Sequence, residues 1–163
     1  MIIVIMGVCG CGKTLIGDML ANKLGLDFYD ADDFHSDKSI IKMKDGTALD
    51  DSDRTPWLKQ LAQAMREWEK RGGAVLACSA LKESYRQILM QGGDVCFVYL
   101  KGSRELILSR IQNRKDHYMP TDLLDSQFRT LEEPANAVMI DIAGSPDEIV
   151  SCIIDRLPSQ RKN

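Results

Sequence analysis

A chain of 163 residues, 44% hydrophobic and 28% charged, suits one globular domain with a substantial core and leaves little room for a second. A formal charge of −3 and a pI near 5.4 provide no basic field for nucleic acid or an anionic membrane surface. No apolar run approaches the roughly 20 residues of a membrane span.

The first apolar run, 2–6, reads as a buried strand with neither the basic flank nor the length of a signal peptide. It leads into Gly7-Val8-Cys9-Gly10-Cys11-Gly12-Lys13-Thr14, which fits G-x-x-x-x-G-K-[ST] at every fixed position. A helix over 13–24 follows, so the motif lies between strand and helix, where it must lie to hold phosphate. The glycines let the N–H groups of residues 10–14 converge on phosphate oxygens, and the helix N-terminus adds partial positive charge. Lys13 would bridge the β- and γ-phosphates of ATP, and the Thr14 hydroxyl would ligate Mg²⁺. A short strand near Leu26–Tyr29 precedes Asp30-Ala31-Asp32-Asp33-Phe34-His35. Carboxylates two apart on an extended segment point the same way, so Asp30 is expected to hold the metal and Asp32 to take a proton from an attacking hydroxyl.

Helical patterns then fall at 55–71, 82–91, 103–113, 121–132 and 146–157, around strands at 74–78, 95–100 and 137–142. Asp53 or Thr55 is the expected cap of the first of these, Ser103 and Ser145 of two others. Strands alternating with helices predict a single α/β domain over 1–163, a five-stranded parallel sheet flanked by helices on both faces. Five cysteines in no paired frame, with only His35 and His117 beside them, argue for reduced thiols and against zinc. Cys9 and Cys11, close to Lys13 and a helix N-terminus, are expected to have lowered pKa values.

The phosphate loop leaves several classes open. A dinucleotide fingerprint read from Gly10 ends on Leu15 and fails. Asp141-Ile142-Ala143-Gly144 matches a GTPase motif by letters, but on the last strand and without N-K-x-D. Strand 74–78 ends on Ser79 with no acid, unlike a mechanical ATPase.

Beyond the loop the chain resembles the gluconokinases, small P-loop kinases related to shikimate and nucleoside-monophosphate kinases. The likeness runs through D-A-D-D-F-H (30–35), G-T-A-L-D-D-S-D-R-T-P-W-L (46–58) and C-S-A-L-K-E-S-Y-R (78–86), and on through R-K-D-H-Y-M (114–119) and L-L-D-S-Q-F-R-T-L-E-E-P (123–134). Cys9, Cys11, Ala31, Ser36 and Met90 depart from common family residues, and none removes a group the chemistry needs. The resemblance implies phosphorylation of D-gluconate by ATP with Mg²⁺ in a cytoplasmic homodimer. It places Asp32, His35, Arg54, Lys82, Arg86 and Gln127 around the acceptor, where Arg54 and Arg86 suit a carboxylate by bidentate pairing. Arg110 and Arg114 would approach ATP, Arg114 at a lid over about 114–121 and near the transferring phosphate. The alternatives are a kinase of another sugar acid or hydroxy acid, shikimate-like, or a non-catalytic nucleotide-binding module.

Overall fold

Every side chain of Ile2–Met6 (β1) is fully buried, which requires cover on both faces of the strand. The computed structural model, which describes residues 1–113 and 121–158, provides that cover. β1 is the middle strand of a parallel sheet ordered β2-β3-β1-β4-β5, with β2 at Asp27–Asp30, β3 at Ala74–Ala77, β4 at Val95–Lys101 and β5 at Val138–Asp141. Ile2 pairs with Ala74 on one side and Val95 on the other. Successive side chains of a strand point to opposite faces, and β1 divides accordingly. Ile3 and Ile5 enter a core with α1 (Lys13–Leu24), α5 (Arg104–Gln112) and α7 (Pro146–Arg156) through Ile16, Leu20, Ile107 and Ile153. Ile2, Val4 and Met6 enter a second core with α3 (Asp51–Lys70) and α4 (Glu83–Met90) through Leu58, Leu61, Met65 and Leu89.

The chain crosses from β3 to β4 over β1, so the loops after β1 and β3 meet at the carboxyl edge of the sheet, where α/β folds bind ligands. Gly7 N–H donates to Ser79 O across that edge at 3.3 Å.

Ser103 and Ser145 cap α5 and α7 as expected, accepting from the N–H groups of Leu106 and Glu148. Two helices depart from expectation. α3 begins at Asp51, not near 55, because Asp50 and Asp53 form a reciprocal capping box; Pro56 is the sixth helical residue and not part of the first turn. An unanticipated helix, α2, spans Asp37–Lys44 behind its Ser36 cap. Ser39 is its buried residue, while Ile41 and Met43 face solvent, so α2 carries no apolar period to read. The remaining helix, α6, runs from Thr121 to Thr130.

Candidate active site

The phosphate loop bends through left-handed conformations at Gly10 (φ 77°) and Gly12 (φ 101°). A side chain at Gly10 would begin 2.6 Å from Ile111 Cγ1, so the loop lies directly against α5. Gly12 occupies the N-cap of α1 without a capping side chain, and the first turn holds no acid. The opening N–H groups of α1 therefore keep their affinity for an anion. Lys13 Nζ donates to Val8 O at 3.0 Å, folded back along its own loop.

Thr14 Oγ1 donates to Asp30 Oδ2 at 2.9 Å, and Asp30 Oδ1 accepts from Asp32 N–H at 3.0 Å. Asp30 thus caps a short 3₁₀ turn, Ala31–Phe34, and brings its carboxylate to the hydroxyl of Thr14. Among the described residues no three His, Cys, Asp or Glu side chains cluster. A hydroxyl beside one carboxylate suits Mg²⁺, which keeps waters and phosphate oxygens as its other ligands. Asp32 is 86% exposed, with His35 Nε2 3.6 Å from its carboxylate. His35 itself is buried and stacked on Trp57, 4.4 Å between ring centroids, and its Nδ1 has no partner. Burial pushes the imidazole pKa down against the pull of Asp32, which favours the neutral ring. Trp57 Nε1–H donates to Ala31 O at 3.0 Å and so ties α3 to the acidic turn.

A cavity of about 620 Å³ opens beside the loop, among the α3 N-terminus, the β3–α4 loop and α6. Asp51, Arg54, Ser79, Lys82, Tyr85 and Gln127 are among its walls. Lys82 Nζ donates to both oxygens of Asp51 at 2.9 and 3.1 Å, and Tyr85 O–H donates to the same carboxylate. These bonds, Tyr85 first and then Lys82, hold the Asp51 carboxyl below its usual pKa, and Asp51 in turn raises that of Lys82. Arg54 and Lys82 both approach the Tyr85 ring, 5.9 and 5.4 Å from its centroid. Two cations on one wall, with hydroxyls and an amide around them, fit a small polyhydroxylated anion.

The shikimate kinase family model matches residues 9–158. A gluconokinase of Arabidopsis thaliana is 42% identical over 94% of this chain and 90% of its own. The thermosensitive gluconokinase of Escherichia coli K12 is 46% identical over 85% and 78%. The crystal structure of a gluconokinase from Sinorhizobium meliloti 1021 superposes with a TM-score of 0.86 at 37% identity, covering 94% of this chain and 89% of that one. The chain belongs to the gluconokinase family.

Within this family member, Arg54, Lys82 and Gln127 line the cavity, whereas Asp32 and His35 stand on the acidic turn and are not part of its wall. Arg86, expected to bind a carboxylate, is occupied elsewhere. It is 3% exposed; Nη1 donates to Ala80 O and Leu81 O at 2.9 and 3.2 Å, and Nε and Nη2 pair with Glu83 at 3.0 and 2.8 Å. It supports the β3–α4 loop from behind, where Ala80 takes φ 45°, the one positive φ among described non-glycine residues. Arg110 donates to Ile142 O and, at 3.5 Å, to Gly144 O, which places it beside the β5–α7 loop. Arg114 and most of the expected lid lie outside the described residues. Burial pushes both loop thiols up, outweighing Lys13, so the lowered pKa values expected of Cys9 and Cys11 are corrected. Cys11 is 1% exposed beneath the loop.

Sequence reasoning passed over Asp51 and Tyr85. With α3 starting at Asp51, that residue and Arg54 fall three apart on one helical face. The missed cap at Asp50 concealed this.

Proposed function

We propose that the protein transfers the γ-phosphoryl group of ATP to the 6-hydroxyl of D-gluconate, yielding ADP and 6-phosphogluconate. The observation that carries this reading is a cavity bearing two cations whose wall residues Gln127 and Ser79 bond to a phosphate loop of complete motif. Arg54 and Lys82 would receive the sugar-acid carboxylate, and Asp51, Ser79 and Gln127 its hydroxyls. Asp32 is exposed and held beside the loop by the Asp30 cap, so it can orient the attacking hydroxyl and accept its proton. Bound MgATP supplies the phosphoryl group and part of the neutralising charge. Lys13, freed from Val8 O, adds a cation at the transferring oxygens, while Thr14 and Asp30 present the metal-side oxygens. Arg110 fits the nucleotide side through its place beside residues 142–144, and Arg114 is retained as a second cation there. Among the described residues no helix is long and apolar enough to cross a membrane. A cytoplasmic homodimer accords with the family resemblance, and sedimentation measures the assembly directly.

The test is kcat/KM for gluconate against other aldonates, shikimate and nucleoside monophosphates, followed by ADP release. Gluconate is expected to rank first. Any acceptor preferred tenfold over it overturns the assignment.

A further inference from the structure

α6 makes one contact that the family reading does not use. Gln127 Oε1 accepts from the backbone N–H of Cys9, inside the phosphate loop, at 2.6 Å and across 118 residues of sequence. The same side chain lines the cavity assigned above to the acceptor. An amide has two unlike ends. With the carbonyl committed to the loop, the –NH₂ group is what Gln127 has to offer a molecule in the cavity.

The helix under this amide is a fixed platform. Arg104 grips Asp125 with two bonds of 2.5 and 3.1 Å, fastening α5 to α6. Leu124 is fully buried. Beyond the helix end, Glu132 N–H donates to Leu81 O at 2.8 Å, and Glu132 Oε2 accepts from Glu83 N–H at 2.6 Å. The loop on the other side of the bond is rich in glycine, with left-handed backbone at Gly10 and Gly12. Whatever orders one end of the Gln127 amide therefore acts on the other.

We propose that Gln127 couples the two substrates, so that an acceptor hydrogen-bonded to its –NH₂ steadies Cys9 N–H and the phosphate loop, and a filled loop orients the amide for the acceptor. Coupling of this kind is reciprocal: each ligand tightens the other by the same factor. The proposal rests on the reading of the cavity as the gluconate site. It makes Gln127 a positioning residue for the loop as well as a contact for the acceptor.

The experiment closes a thermodynamic cycle by calorimetry. Gluconate affinity is measured with and without the magnesium complex of a β,γ-imido ATP analogue, in the wild type, Q127M and Q127E. Wild type is expected to bind gluconate about fivefold or more tightly when the analogue is present, the lower end of ordinary coupling. Q127M, close in shape but with neither donor nor comparable acceptor, is expected to bring that factor near one while the protein still melts cooperatively, a little earlier for the loss of the Cys9 bond. Q127E keeps an acceptor for Cys9 N–H and loses the donors, so its factor is expected to fall as well. Repulsion between the new carboxylate and phosphate weakens the analogue with or without gluconate, and so cancels in the ratio. A wild-type factor near one overturns the proposal, as does a factor that survives in Q127M or in Q127E. Absence of gluconate binding and turnover in the wild type would instead remove the acceptor reading, and this proposal with it.

Discussion

Arg86 shows how the same side chain changes meaning once its surroundings are known. A cation in a segment that resembles the gluconokinases reads as a ligand for an anion, yet its guanidinium is spent on the carbonyls of Ala80 and Leu81 and on Glu83. Arg86→Met leaves Ala80 O without its donor, at about 1–3 kcal/mol for a buried unsatisfied group, while Leu81 O keeps the Glu132 N–H. For a chain of this length that is a fall in melting temperature on the order of 2–12 °C. The β3–α4 loop carries Ser79 and Lys82 into the cavity, so KM for gluconate rises as well. A surface arginine serving only the substrate would raise KM and leave the melt where it was. Unchanged thermal stability in Arg86→Met thus returns Arg86 to the acceptor. The placement of Lys13 and Thr14 was legible because it depends on a local strand–loop–helix frame that sequence carries in full, and that of Asp30 because it closes a short strand. The roles of Arg86, Asp51 and the loop thiols depend on burial and on partners tens of residues away. For Cys9 and Cys11 the nearby lysine and helix terminus were correctly placed, and desolvation outweighed both.

The N-terminus of α3 joins stability to the acceptor cavity at the level of one element. Asp50 accepts from Asp53 N–H and from the hydroxyl of Ser52, and Lys42 of α2 pairs with Asp53 at 2.5 Å. The Ser52 bond first, then the Asp53 amide, hold the Asp50 carboxyl at about 2, against 3.8 for the free group. A depressed carboxyl contributes stability that is present above pH 3.8 and is lost as the pH falls through about 2. Asp50→Ala is accordingly expected to melt earlier than wild type at pH 7 and to converge with it only as the pH falls through about 2. A gap that stands undiminished at pH 2 would show the cap acting by something other than its charge. The melt is also expected to weaken the acceptor site, since Asp51 and Arg54 project from the turn that this box fixes. α2 was invisible to sequence reading for the reason it is unusual: it buries little, and ion pairs to α3 hold it. Helices that bury an apolar stripe, such as α7 and the later turns of α3, were placed to within a few residues.

At the scale of the whole molecule, alternation of strands and helices sufficed for a parallel sheet with two covered faces. The order of strands was not written locally, because each crossover is read only by what it packs against. That order puts β1 between partners that arrive much later in the chain. Ile2 needs Ala74 and Val95, and the two other residues of its core-facing row, Val4 and Met6, lie in register with Phe97 and Tyr99. During synthesis at ordinary rates, roughly five to twenty seconds separate the emergence of β1 from that of β4. For that interval five consecutive apolar residues have neither neighbour, a hazard for association with other nascent chains. Pulse-labelled hydrogen exchange during refolding is expected to find the β1 amides protected together with β3 and β4, and after α1; early protection of β1 alone would contradict it. The strand made before the other four is thus among the last elements to reach its place, and the nucleotide site built on its end exists only once β3 and β4 have been made.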